Sequence, residues 1–160
     1  MLNVPPDRRG LFHENDVKSL YGFKGLLKKE FSVNLAKNAK VTASSFRGNA
    51  KVFSPANITD GNKNSYWATN DDIASGSFEI SLAKISTVKY ILLQEYIKLG
   101  QRVKSFSVEI WKDNAWQKVA DATTIGYKRI LKIDPIETNK IRVRIADSKA
   151  CPVISNVEVY

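Results

Sequence analysis

The chain has 160 residues, 43% of them hydrophobic, which is enough for one domain with a core plus an appendage. Its single cysteine and single histidine exclude an internal disulfide and a zinc site of the usual kind. The net charge of +9 is spread along the chain rather than clustered, which disfavours a nucleic-acid partner, and no apolar run approaches the roughly 20 residues that cross a bilayer.

Residues 15 to 31 are predicted to form one amphipathic helix, with Asn15 or Asp16 as its N-cap. Apolar side chains recur there every three or four residues, at Val17, Leu20, Tyr21, Leu27 and Phe31. Gly22 and Gly25 each weaken a helix by up to about 1 kcal/mol relative to alanine. The helix is therefore expected to depend on docking of its apolar stripe more than on propensity.

Residues 57 to 65 form an oxygen-rich loop around Gly61. Side-chain oxygens are supplied by Asn57, Asp60, Asn62 and Ser65. Calcium takes about six to eight oxygen ligands, and glycine lets a backbone turn sharply enough to aim several of them inward. Spacing alone favours the simpler interpretation, an Asp-Gly turn between two strands. Near the end of the chain, Glu158 offers a further carboxylate from the last predicted strand.

After residue 33 the hydrophobic period changes from that of a helix to that of strands. Strict alternation marks Phe78-Ile80-Leu82, Phe106-Val108-Ile110 and Ile141-Val143-Ile145, and residues 88 to 93 form a β-rich apolar run. A succession of short strands without intervening helices predicts a β-sandwich or jelly roll. Trp67 is expected in its core, and Trp116 is expected half-exposed beside a hairpin turn.

The segments Ser54 to Trp67 and Ile154 to Tyr160 together resemble the discoidin, or coagulation factor V/VIII type C, domain, which also serves as a carbohydrate-binding module. The resemblance implies a discoidin-type jelly-roll β-sandwich of the galactose-binding-domain-like class over residues 34 to 160, preceded by the helix. It also implies a structural calcium ion held between the loop and the last strand, by Asn57, Asp60, Asn62, Ser65 and Glu158.

Three further segments, residues 2 to 17, 93 to 109 and 123 to 130, are similar to the C-terminal part of bacterial alpha-L-fucosidases. The resemblance implies that residues 1 to 33 are a remnant of the catalytic domain, an extended tail plus the helix. Retaining glycosidases need two carboxyl groups about 5 Å apart, and in this family the upstream barrel carries them. The chain alone is therefore expected to be non-catalytic. The parent is expected to be secreted or periplasmic, although the chain starts without a signal peptide.

The resemblance also places a glycan, fucosylated or galactose-containing, at loops on one end of the sandwich: residues 46 to 54, 70 to 76, 95 to 102 and 147 to 152. Planar guanidinium, amide and carboxylate groups suit sugar hydroxyls. Arg102 and Gln101 are the predicted donors, and Tyr127 is the predicted aromatic wall. The predicted acceptors are Asn70, Asp72 and Glu95.

Two alternatives to glycan binding stay open. One is a membrane-surface or protein-binding module that uses Phe46 or Phe53 with Arg47 and Lys51 nearby, although a membrane partner is disfavoured. The other is a purely structural spacer that supports the upstream barrel of the parent protein. Binding to liposomes would distinguish the first alternative from glycan binding, and the spacer would bind no glycan.

Overall fold

The computed structural model describes residues 3 to 160, so Met1 and Leu2, which belong to the predicted segment 1 to 33, lie outside the described residues. Contacts between Cα atoms divide the chain into two units, with the division between Val33 and Asn34. Among the described residues, no helix is both long enough and apolar enough to span a membrane.

The first unit contains one helix, α1 (Glu14–Glu30). The prediction of its N-cap was wrong by two or three residues, because His13 caps the helix and its Nδ1 accepts a hydrogen bond from the Asn15 N–H at 3.2 Å. Acidic residues in the first turn and basic residues in the last suit the helix dipole. No side chain of α1 is buried.

The segment before α1 turns tightly around Asp7. Its carboxylate accepts hydrogen bonds from the backbone N–H groups of Arg9 and Leu11, at 2.8 and 3.1 Å, and from the Arg9 guanidinium. The Arg9 side chain is the main reason that the pKa of Asp7 is lowered, and the backbone donors add to it. Residues 3 to 7 themselves have no helix or strand.

The second unit consists of seven strands joined by loops and short 3₁₀ turns. The strands are β1 (Lys40–Ala43), β2 (Trp67–Ala68), β3 (Gly76–Glu95), β4 (Val103–Lys112), β5 (Ala115–Ala122), β6 (Arg129–Ser148) and β7 (Val153–Val159). All their pairings are antiparallel. Asp113 and Asn114 both have positive φ, the geometry of the two-residue turn that closes the β4–β5 hairpin.

The strand pairing gives the two layers of a sandwich. One layer has the order β1-β3-β6-β4-β5 and uses the first part of β3 with the last part of β6. The other has the order β2-β7-β3-β6 and uses the opposite parts of those two strands. The predicted β-sandwich is therefore confirmed.

The prediction that all strands are short was wrong, because β3 and β6 each have 20 residues and run through both layers. Their register shifts between Ser81 and Ser86, where the pairing is irregular. A shift of this kind bends the strands without ending them. The residues between the predicted strands at 78 to 82 and 88 to 93 therefore lie at a bend of one continuous strand.

The core contains the alternating residues that the sequence singled out, including Phe78, Val108 and Ile141, all of them fully or almost fully buried. Trp67 is fully buried, as predicted, and its Nε1–H donates to the Ser45 carbonyl at 2.9 Å. Trp116 is half-buried, as predicted, and the Arg142 guanidinium lies 4.2 Å from the centre of its ring. Arg142 itself is largely covered, because it pairs with the Glu109 carboxylate.

Candidate functional site

Four polar segments meet at one end of the second unit, and we call them the loop end: residues 47 to 53, 69 to 72, 96 to 102 and 149 to 151. Arg47 joins the first two, because its Nη2 donates to Asp71 at 2.6 Å and its Nε donates to the Thr69 carbonyl at 3.3 Å. Arg102 joins the last two, because its Nη1 donates to the Cys151 carbonyl at 3.0 Å. The predicted ligand loops therefore converge.

Cys151 lies at the junction of the loop end. Its side chain is buried, and its sulfur accepts from Arg47 Nη2 at 3.0 Å and from Arg102 Nη1 at 2.9 Å. These bonds fix both guanidinium groups from the inner side. Each arginine has five N–H donors, and the Nη1 group of Arg47 and the Nη2 group of Arg102 have no hydrogen-bond partner among the described residues.

A row of three half-buried aromatic rings lies beside the arginines. Tyr66 stacks on Tyr96 with ring centres 4.5 Å apart, and Phe53 lies 5.6 Å from Tyr66. The Arg47 guanidinium covers Phe53 at 4.9 Å, and the Lys98 ammonium lies 5.8 Å from the Tyr96 ring. The row combines flat apolar faces with cationic groups at both of its ends.

Glu95 supports the loop end from below, a role that the sequence did not indicate. Its side chain is only 2% exposed, and its Oε1 accepts from the N–H groups of Arg102 and Val103 at 2.7 and 2.9 Å. Its Oε2 accepts from the Gly126 N–H at 2.6 Å. Because all three donors are backbone groups, this carboxylate ties two loops to the end of β3.

The other predicted sugar-binding residues lie near the surface. Asn70 is exposed, and its Oδ1 accepts from the Gly48 N–H at 3.0 Å. Asp72 and Gln101 are exposed, and their side chains make no hydrogen bond among the described residues. Tyr127 is 64% exposed and lines a cavity of about 190 Å³ together with Tyr96. The structure thus brings Tyr127 close to the aromatic row.

The oxygen-rich loop, residues 57 to 65, which we call the Asp60 loop, carries a carboxylate whose hydrogen bonds stay within the loop. The Asp60 carboxylate accepts from the Asn62 N–H and the Ser65 hydroxyl, both at 2.7 Å. Asn57 points its amide N–H groups at the Val52 and Tyr66 carbonyls. Of the residues that the sequence proposed as calcium ligands, only Asp60, Asn62 and Ser65 are brought together here.

Glu158 is bonded within the last strand instead. Its Oε1 accepts from Asn156 Nδ2 at 2.8 Å, and its Oε2 accepts from the Tyr160 hydroxyl. Burial, and then the bond to Glu158, raises the pKa of Tyr160 above its ordinary value. No hydrogen bond joins Glu158 to the Asp60 loop. Across residues 3 to 160, no three His, Cys, Asp or Glu side chains are grouped to hold a metal ion.

The fold and the loop end together define a discoidin-type β-sandwich domain. The chain belongs to the F5/8 type C domain family, whose model matches residues 40–159. This match confirms the resemblance and the fold class derived from the sequence.

Relatives that extend beyond this domain are alpha-L-fucosidases. The chain is 31% identical over its whole length to alpha-L-fucosidase 1 of Arabidopsis thaliana, of which it covers 32%. It is 32% identical over its whole length to the structure of a Ruminococcus gnavus GH29 fucosidase in complex with fucose, with a TM-score of 0.90 and 33% of that chain covered. The chain thus spans about a third of the length of the curated relatives it matches.

The fold also occurs in a smaller solved structure. Chitosan-binding module 1 of a chitosanase/glucanase from Paenibacillus sp. IK-5 superposes with a TM-score of 0.71, with 80% of this chain and 98% of that module covered. At 21% identity, this likeness concerns the fold alone. It shows that the sandwich occurs as a separate module of nearly the same extent.

Proposed function

We propose that the chain is a non-catalytic carbohydrate-binding module of a larger protein whose catalytic domain is a retaining alpha-L-fucosidase. The observation that carries the binding role is the loop end, where a row of three aromatic rings lies between Arg47 and Lys98, and where Arg47 and Arg102 are held by a buried cysteine. Similarity to alpha-L-fucosidases over the whole chain supports the assignment of the parent protein. The glycan is expected to be fucosylated or galactose-containing.

The loop end offers both kinds of contact that a pyranose needs. The C–H face of the sugar can pack on the exposed Tyr127 or on the half-buried Tyr96, since aromatic rings bury apolar area with little loss of conformational entropy. The free Nη2 group of Arg102 and the amide of Gln101 can donate to hydroxyl oxygens. Asn70 and Asp72 can accept from hydroxyl groups. Glu95 is assigned to positioning, because its carboxylate is already saturated by backbone donors.

A glycan array probed with the 160-residue chain tests this function. We expect binding to a defined group of glycans, and we expect Tyr96→Ala and Gln101→Ala each to weaken it, the first by about two- to tenfold, in line with the 0.5 to 1.5 kcal/mol of an aromatic contact. Tyr21→Ala is the matched control, because Tyr21 is 70% exposed on α1. Absence of glycan binding, or equal binding by the Tyr96 variant and the wild type, would contradict the proposal.

A membrane surface is the second candidate, and one observation favours it. Ile97 and Leu99 are 40% and 44% exposed on the loop that also carries Lys98, so apolar side chains project beside a cation. Phe46 and Phe53, which the sequence suggested for this role, are half-buried instead. Co-sedimentation with phosphatidylserine vesicles, lost in Ile97→Asp, would support this candidate over the glycan.

We also propose that calcium binds at the Asp60 loop. Support comes from the gathering of Asp60, Asn62 and Ser65, whose oxygens suit a hard cation. Glu158 already accepts hydrogen bonds from Asn156 and Tyr160, so it could join only through its remaining lone pairs or by giving up one of these bonds. The ion would stabilise the loop and would supply no chemistry.

A further inference from the structure

A shallow depression of about 450 Å³, lined by polar and apolar residues in about equal measure, lies on the layer that contains β1, β3, β6 and β4. Among the described residues that line it, Arg144 is the only charged one, and the hydroxyl groups come from Ser44, Ser45, Ser75, Ser77 and Ser107. Gly76 lies at its margin, where an added Cβ would come within 3.2 Å of the Trp67 ring. The depression has the size of a small-ligand site and shares no lining residue with the loop end.

The register of the strands explains why serine hydroxyl groups lie on both sides of the Arg144 guanidinium. Arg144 on β6 lies opposite Ser77 on β3 and opposite Ser107 on β4. Residues opposite one another in antiparallel strands have neighbouring side chains on the same face. The three residues therefore form one row across the sheet, with a hydroxyl on each side of the cation.

Arg144 differs from the neighbouring cations of this face in having no partner. In the next row Arg142 pairs with Glu109 and Glu79, and Lys118 pairs with Asp121 at 2.8 Å. Arg144 makes no ion pair and no side-chain hydrogen bond among the described residues. Its five donors are therefore available to a ligand.

The serine side chains are also available. The hydroxyls of Ser45, Ser75, Ser77 and Ser107 make no hydrogen bond among the described residues, and that of Ser44 accepts from the Ser77 N–H at 3.1 Å. Each of these hydroxyls can donate to an oxygen atom of a ligand. A single free guanidinium among hydroxyl donors favours an anionic oxygen group over a neutral or cationic ligand.

We propose that the depression binds the anionic group of a saccharide, a carboxylate or a sulfate ester, with Arg144 as its charged partner. A guanidinium matches two oxygens of either group in a bidentate pair. The serine hydroxyls complete the contacts to the remaining oxygens and to the sugar. The loop end and this depression would then recognise different parts of an acidic glycan.

Titration of the isotope-labelled 160-residue chain with three related hexasaccharides tests the site. The first is a chondroitin sulfate hexasaccharide, the second is its desulfated form, which keeps the carboxylates, and the third is desulfated and carboxyl-reduced. We expect the amide chemical shifts of residues 77, 107 and 144 to change with the first or the second hexasaccharide. We expect the third hexasaccharide, which is neutral, to bind at least tenfold more weakly. The first two probes distinguish sulfate from carboxylate.

Arg144→Gln should weaken binding of the anionic probe at least tenfold, and Arg144→Lys should weaken it less, because it keeps the charge but loses the bidentate geometry. Arg129→Gln is the matched control, an exposed arginine at the start of the same strand. Equal losses in the Arg144→Gln and Arg129→Gln variants would indicate non-specific attraction and overturn the site. Shifts confined to residues 47, 96 and 102 would also overturn it while supporting the loop end.

Discussion

The loop end and the Asp60 loop are both polar, but they are held in different ways. At the loop end, the buried Glu95 carboxylate and the buried Cys151 sulfur bind segments that are far apart in the sequence. In the Asp60 loop, the bonds of Asp60 span only two and five residues, and the carboxylate is exposed. The first is fixed by long-range bonds, whereas the Asp60 carboxylate at the centre of the second is fixed by local ones.

This difference bears on what each region needs in order to bind. Buried hydrogen bonds are costly to break and therefore keep groups in place before a ligand arrives. Exposed local bonds compete with water and contribute little. We therefore expect the loop end to be preorganised, and the Asp60 loop to gain its stability from an ion.

Removal of the Glu95 carboxylate should have the largest effect on stability. Glu95→Ala leaves the backbone N–H groups of Arg102, Val103 and Gly126 without their acceptor. Each buried donor without an acceptor costs about 1 to 3 kcal/mol. We expect the free energy of unfolding in urea to fall by about 3 to 5 kcal/mol. Glu137→Ala, at an exposed position of β6, should change it by less than about 0.5 kcal/mol. Similar values for the two variants would show that the carboxylate does not hold the loop end together.

Local sequence patterns predicted the sandwich, but they did not predict how the loop end and the Asp60 loop are held in place. Alternation around Phe78, Val108 and Ile141 is visible within a few residues, and it identified the core strands. The bonds from Arg47 and Arg102 to Cys151 span 104 and 49 residues, so no local pattern contains them. Glu95 was predicted as a sugar acceptor, because its three N–H donors come from loops that only folding brings near.

Calcium removal should have the second largest effect if the Asp60 loop binds the ion. A ligand that binds only the folded state stabilises it by about 2.7 kcal/mol at one hundred times its dissociation constant. We expect EDTA to lower the melting temperature and Asp60→Ala to abolish that response. Asp134→Ala, at an exposed position of β6, should respond like the wild type. An unchanged melting curve in EDTA would contradict a calcium site.

The stacked pair Tyr66–Tyr96 tests preorganisation at a smaller scale. A double-mutant cycle with Tyr66→Leu and Tyr96→Leu should give a coupling energy of about 0.5 to 1.5 kcal/mol in urea unfolding. The cycle should give the same value with and without EDTA, because the pair is held by the loop end. A coupling that disappears in EDTA would mean that the loop end depends on the ion.

The smallest expected effect is a change in the ionisation of Tyr160, which depends on its hydrogen bond to Glu158. The raised pKa means that the fold favours the neutral phenol, so this contribution to stability is present below the unfolded value of about 10 and is lost as the pH rises through the folded value. Ultraviolet titration should show one of the six tyrosines ionising last, and Glu158→Gln should make it ionise earlier. If calcium recruits Glu158, adding the ion should also lower the pKa of Tyr160, because the hydroxyl loses its acceptor. A titration that calcium leaves unchanged, in a protein that EDTA destabilises, would place the ion on the Asp60 loop without Glu158.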